Sequence, residues 1–295
     1  MNVVAVDAGG TKARFNLYSQ AGELLARTTL PTAHPAQVGL DGMAARLKQG
    51  TDAVLGQAGV DANAAVLSFG LAGYGPGREA PIDKAVAEAF PNTPAHITSD
   101  AEIARLGALE GQDGILLIAG TGSIAMSSFD GQRNRAGGWG RTFGDEGSGV
   151  WIGQRALQFA SKQADGREPR TNLLDAICEF LGCTDAYGMI SAIQNAEDER
   201  SAIASLVPTI GALAEVGDPA ALAIFQDAAR ELASLVNALV GERAHALCSW
   251  AGGVFSRGDV LIKPLEAHLD PRVEFIAPKH EPIWGAFLAA RDHLL

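Results

Sequence analysis

Val3-Val4-Ala5-Val6-Asp7-Ala8-Gly9-Gly10-Thr11-Lys12 is an apolar run broken by a glycine pair, and the residues that follow alternate around Phe15 and Leu17. This reads as two strands, 3–7 and 13–19, joined by a tight Gly–Thr turn. A third strand at 23–30 follows the turn Gln20-Ala21-Gly22. The unit then recurs. Gly114-Ile115-Leu116-Leu117-Ile118 is again apolar, Gly120-Thr121-Gly122-Ser123 is again a Gly/Thr turn, and 124–129 is again strand-like, closed at Asp130-Gly131. Thr11 and Thr121 are 110 positions apart, as are Ala21 and Gly131. Such repetition predicts two related α/β domains, each presenting a Gly-rich hairpin, with the boundary between 110 and 113. The expected division is therefore 1–110 and 111–295.

Working outward, helical spacing covers 36–57, and strands at 65–70 and 95–98 flank a helix at 83–90. After the second hairpin the chain turns largely helical, at 149–161, 172–181, 196–216 with an interruption near Pro208, and 219–242. A strand at 246–251 runs into Gly252-Gly253, followed by a helix at 259–268, a strand at 273–276 and a helix at 282–293.

The 295 residues are 47% apolar and 19% charged, with a formal net charge of −11. That balance argues against a general nucleic-acid binder and against an anionic membrane surface as partner. Any anionic ligand must be held locally, by backbone N–H groups or a bound cation. Cys178, Cys183 and Cys248 show no C-x-x-C spacing, so neither a disulfide framework nor a zinc site is expected. The start has no basic segment and no apolar run reaches 18 residues, which gives a cytoplasmic expectation.

At Asp7–Lys12 the glycines let backbone N–H groups approach phosphate oxygens, while Asp7 can hold hydrated Mg²⁺. Asp7 as a plain turn cap is the alternative. No G-x-x-x-x-G-K-[ST] occurs, and 13–19 reads as a strand where a dinucleotide fingerprint needs a helix. Thr121, Gly122 and Ser123 offer a second cradle, which across a cleft could grip β- and γ-phosphates. Asp100, in Thr98-Ser99-Asp100-Ala101-Glu102, falls where a strand meets a helix, so it can be a general base or part of a helix cap. Gly137 to Gly149 combines glycines, Trp139 and the carboxylates Asp145 and Glu146, the chemistry of a sugar pocket, with helix-start charges as the other reading.

Taken together, Asp7–Lys12, Ser99–Ala101, Ala119–Ser123, Gly137–Gly149 and Trp250–Val254 resemble the actin-like sugar-kinase and hexokinase superfamily, and within it the BadF/BadG/BcrA/BcrD ATPase group. The resemblance covers nearly the whole chain and implies two actin-like (ribonuclease H-like) domains with an interdomain cleft. It implies ATP and Mg²⁺ as cofactors, with Asp7, Gly9, Gly10, Thr11 and Lys12 as the first phosphate loop. Thr121, Gly122 and Ser123 would form the second loop, and Gly252 and Gly253 the adenosine loop. Asp100 matches the family's base. Trp139, Asp145, Glu146 and Gly149 would contact the sugar, with Thr121 and Gly122 close to it. The implied reaction is phosphorylation of N-acetylglucosamine at O6, with glucosamine as the alternative acceptor and an ATPase driving a partner protein as the alternative class. A small-molecule sugar is the expected partner, and a homodimer stays open. Radical-enzyme activases of this group hold an iron–sulfur cluster between domains with cysteines, which the positions of Cys178, Cys183 and Cys248 disfavour. The cysteine-rich zinc motif usual in ROK sugar kinases is absent.

Overall fold

The computed structural model describes residues 1–294, which form two compact units. The first holds residues 1–112 together with the chain from Ala277 onward. Its elements are β1 (Asn2–Ala8), β2 (Lys12–Tyr18), β3 (Leu24–Pro31), α1 (Pro35–Ala58), β4 (Ala65–Leu71), α2 (Glu79–Ala89), β5 (Ala95–Ser99), α3 (Asp100–Ala108) and the C-terminal helix Pro282–Leu294. They build a five-stranded sheet of order β3-β2-β1-β4-β5. The hairpin pairs are antiparallel, and β1, β4 and β5 run parallel.

Strands covered on both faces have no solvent side, which is why β4 is buried at every position. Val4, Val6, Phe15 and Leu17 point into a core with Met43 and Leu47 of α1. Val3, Ala5 and Val66 point the other way, against Ile103, Ile283, Ala286 and Phe287. Each of the larger side chains among them contributes about 1.5–3 kcal/mol through burial. The C-terminal helix therefore completes the second face of the first sheet.

Here the structure differs from the contiguous division at 110. The break near Gln112 lies close to the expected one, but residues from 277 onward join the first unit rather than the second. The physical cause is close helix packing. At Gly285 a Cβ would overlap the carbonyl of Ile103, and at Gly107 one would lie 2.6 Å from the carbonyl oxygen of Glu281. Only glycines allow this approach.

The second unit, Asp113–Ile276, contains β6 (Gly114–Ala119), β7 (Ser123–Phe129), β8 (Gln132–Gly137), α4 (Gly149–Ala164), α5 (Leu173–Leu181), α6 (Gly188–Gln194), α7 (Glu199–Ala204), α8 (Val207–Glu215), α9 (Pro219–Val240), β9 (Ala246–Ala251), α10 (Asp259–His268) and β10 (Val273–Phe275). Its sheet runs β10-β9-β6-β7-β8, the order of the first sheet repeated. β8 was not anticipated. It is a polar edge strand, Gln-Arg-Asn-Arg, without apolar alternation, and charged side chains suit an unpaired edge. The interruption expected near Pro208 in the helical stretch 196–216 divides it into α7 and α8, with Pro208 in the first turn of α8. α9 is the core helix, capped by Asp218, which accepts from the Ala220 and Ala221 amides at 3.0 Å each.

Cys178 lies in α5, Cys183 in the turn after it and Cys248 in β9; all three are free thiols. Among the described residues no single helix is long and apolar enough to cross a membrane.

Candidate functional site

In the first unit the parallel strands β1, β4 and β5 end on one edge of the sheet, where open α/β sheets bind ligands. Register sets Asp7 beside Gly70 and Gly70 beside Thr98, so Asp7 and Thr98 are two strand spacings apart, about 10 Å. Asp100 follows two residues later. Gly70 has a packing reason: a Cβ there would overlap Ile103, which draws α3 onto the sheet and fixes its first turn.

The Gly9–Thr11 turn closes through the Gly9 N–H donating to Lys12 at 3.0 Å. Its carbonyls are tied back, Gly9 to the Thr32 hydroxyl at 2.9 Å and Gly10 to the Gln37 amide at 2.8 Å. Among the described residues the N–H groups of Gly10 and Thr11 have no internal acceptor, so they can serve an anion. Lys12 opens β2, exposed. Asp7 is not bare. Its Oδ2 accepts from Arg14 Nε at 3.2 Å and Nη2 at 2.7 Å, and Arg14 Nη1 donates to Glu281 at 2.8 Å. Both contacts fall on one oxygen, which leaves Oδ1 for a hydrated cation.

The cap of α3 is Ser99, whose hydroxyl accepts the Glu102 N–H at 3.1 Å. Asp100 is thus not needed as the cap. Its Oδ1 accepts the Ala101 N–H at 2.9 Å. Burial pushes the Asp100 carboxyl above the usual carboxylate range and the Asp7 charge adds to this, against the Ala101 hydrogen bond and the pull of His34. His34 Nδ1 accepts the Ala36 N–H at 3.1 Å, which leaves the neutral ring's proton on Nε2. Neither Arg14 nor His34 stood out in the sequence, since nothing local marks them.

In the second unit the hairpin and the glycine-rich stretch are knit together. The Ser123 hydroxyl donates to the Glu146 carbonyl at 2.7 Å, the Gly149 N–H to Gly120 at 2.7 Å and the Gly138 N–H to Ser123 at 3.0 Å. Asp145 adopts φ 61°, uncommon for a residue with a side chain, and is 5% exposed. Its Oδ1 accepts the Ser123 N–H at 3.3 Å and its Oδ2 accepts Arg200 Nη2 at 3.1 Å. Ser148 caps α4, so Asp145 is turned toward the hairpin instead of serving the helix start. Glu146 is half-buried and lends its carbonyl. Arg200, 55 residues beyond Asp145, was invisible to local reading.

Trp139 packs against Gly144 beside this cluster but is 61% exposed, with the Arg135 guanidinium 5.0 Å from its ring centroid. Gly252 ends β9 at φ 107°, and a Cβ there would overlap the Ala119 carbonyl. Glycine at this point brings Gly252 and Gly253 beside the hairpin. A cavity of about 320 Å³ is lined by Gly120, Thr121, Gly149, Val207, Gly253 and Arg257.

Two units of one strand order, each ending its first parallel strand in a Gly/Thr hairpin, define the actin-like two-domain fold. The chain belongs to the BadF/BadG/BcrA/BcrD ATPase family, whose model matches residues 4–290. It is 34% identical over 204 residues to the N-acetylmuramic acid/N-acetylglucosamine kinase of Clostridium acetobutylicum, covering 66% of this chain and 67% of that one. It is 26% identical over 294 residues to a glucosamine kinase of Vibrio cholerae, covering 97% and 95%. A solved structure from Chromobacterium violaceum, named as a candidate N-acetylglucosamine kinase, matches with TM-score 0.75 at 30% identity over 98% of each chain.

Proposed function

We propose that the chain transfers the γ-phosphoryl group of ATP to O6 of an amino sugar, with N-acetylglucosamine as the acceptor. The observation that carries this reading is Asp100, a carboxylate freed from capping by Ser99 and given a raised proton affinity by burial beside Asp7. Asp100 accepts the O6 proton through Oδ2 as O6 bonds to the γ-phosphorus and the bond to the ADP oxygen breaks. The N–H groups of Gly10 and Thr11 hold phosphate oxygens from one unit. In the second unit Thr121 and Gly122 are assigned the same role, with Ser123 holding the hairpin in shape because its N–H and hydroxyl are taken by Asp145 and Glu146, and Gly252 and Gly253 take the adenosine.

When bound, Mg²⁺ neutralises charge on the polyphosphate, and Asp7 Oδ1 fits it through water. Among the described residues no three acidic, histidine or cysteine side chains gather as a metal cluster, so the phosphates would supply most of its ligands. Asp145, with Glu146, orients the sugar, and Gly149 lets the backbone come close. Trp139 offers one indole face. With ATP as the donor, the cytoplasm is the compartment we assign to the activity.

One observation favours the acetylated sugar over glucosamine. Asp145 is already paired with Arg200, so little free negative charge is left there to hold a cationic amine, whereas a neutral acetamide needs none. Names among the relatives point both ways, to N-acetyl sugars and to glucosamine.

The test is Asp100→Asn. It should bind ATP and sugar with near-parental affinity by calorimetry and lose at least ~10²-fold in kcat. Parental kcat would reduce Asp100 to a buried first-turn residue and remove the proposed base.

A further inference from the structure

Arg257 closes the short turn Gly253–Arg257 that follows β9, and it lies on the wall of the 320 Å³ cavity. Among the described residues its guanidinium has no carboxylate partner. Its contacts are to the Ser256 hydroxyl, 3.4 Å from Nε and 3.3 Å from Nη2, both long, and Ser256 itself donates to the Gly253 carbonyl at 2.7 Å. In a chain of net charge −11 a half-buried cation left without an acid is unusual. The neighbouring Asp259 is taken by Lys263 at 2.7 Å.

The side chain is also held in place. Its stem crosses Gly211 of α8 so closely that a Cβ on Gly211 would overlap Arg257 Cδ and lie 3.4 Å from Nη1. The guanidinium is therefore presented to the cavity on a fixed stem.

The cavity wall joins two kinds of group. Gly252 abuts Ala119, so the start of the turn sits beside the hairpin Gly120–Gly122. Arg257 ends the turn, and Val207, Pro208 and Val254 line the same wall, with Val207 next to Gly149. Apolar walls beside a planar, weakly hydrated cation suit the face of an aromatic ring better than a phosphate, which needs several convergent donors. The volume lies at the lower end of the small-ligand range, about 300–1,000 Å³. By contrast, the larger cavity of about 600 Å³ lined by Leu157, Met189 and Ile193 contains no Gly-rich turn and none of the residues assigned to nucleotide.

We infer that Arg257 is a nucleotide-binding residue that stacks its guanidinium on the purine base, with Gly211 required to keep it there. This rests on the ATP-dependent reading of the same site but adds a residue that the Gly252-Gly253 motif does not contain.

The experiment measures binding of adenosine, ADP and inorganic tripolyphosphate to the full chain and to Arg257→Ala by calorimetry, with Gly211→Ala as a second variant acting on the same stem. The expected result is that Arg257→Ala weakens adenosine and ADP by one common factor, about 3- to 30-fold, the range of a cation–π contact, while tripolyphosphate binding is unchanged. Gly211→Ala should weaken the same two ligands in the same direction. Loss of tripolyphosphate and ADP binding with adenosine unaffected would make Arg257 a phosphate ligand and overturn the proposal, as would no change with any probe. Sugar phosphorylation by the parent chain is scored separately. If the parent binds adenosine through Arg257 yet phosphorylates no sugar, the acceptor reading fails and the base contact stands.

Discussion

Replacing Gly122 by alanine probes how the second hairpin positions the buried carboxylate. Gly122 lies outside the left-handed region, so its backbone accepts a side chain, and the consequence is purely steric. The added Cβ would stand 2.9 Å from Asp145 Oδ1 and 3.1 Å from Cγ and Oδ2. Comfortable contacts are about 3.5–4.0 Å, so the carboxylate must retreat by roughly half an ångström or more. The Ser123 N–H to Oδ1 bond is already 3.3 Å and does not survive that retreat. A hydrogen bond to a charged group contributes about 1.5–3 kcal/mol, which converts to about a 10- to 150-fold fall in kcat/KM if the sugar is read by this carboxylate. The assay varies sugar at saturating MgATP, beside a melting curve that establishes folding and an Asp145→Asn control. A folded Gly122→Ala chain with kcat/KM for sugar within about twofold of the parent would refute the claim that this contact positions Asp145 for the acceptor.

Asp7→Ala should leave sugar binding nearly intact and move the Mg²⁺ titration of activity to higher concentration; coincident curves would remove Asp7 from the metal's outer shell. Asp100→Asn should also raise thermal stability at pH 7. Because the folded-state pKa lies above the unfolded value, the folded chain disfavours the ionised carboxylate, and this penalty is absent below the unfolded pKa, grows between the two values and is complete above the folded one. The gain over the parent should therefore vanish in acid, and a gain that persists there would contradict the assigned cause. Trp139→Ala should lower kcat/KM for N-acetylglucosamine more than for glucosamine, by a differential of about 1–3 kcal/mol; equal losses would show that the indole only stacks on the ring.

Both hairpins were legible because a buried strand is an uninterrupted apolar run and a tight turn needs glycine, two signals confined to a few residues. β9, 246–251, was read to the residue for the same reason. What escaped notice depends on distance along the chain. Nothing near Ile283 or Phe287 says that their helix covers β1 and β4 of the first sheet, and a contiguous division cannot express it. β8 carries no apolar alternation because it is an edge. Among the functional candidates, Asp7, Asp100 and Asp145 fall within short motifs, whereas their partners do not. Arg14 reaches Glu281, 267 residues away, and Arg200 reaches Asp145 across 55. Arg257 stood only four residues beyond Gly253 and could have been noticed, had its missing carboxylate partner been readable from sequence.

The most direct test of the account is the stoichiometry of phosphoryl transfer. The chain is incubated with MgATP and, in turn, N-acetylglucosamine, N-acetylmuramic acid, glucosamine, glucose or no sugar, and ADP and sugar phosphate are quantified by phosphorus and proton NMR. The account predicts one ADP per sugar 6-phosphate, fastest with N-acetylglucosamine, and little ADP without sugar. Release of ADP at one rate whether or not a sugar is present, with no sugar phosphate formed, would contradict it and leave an ATPase that serves another purpose.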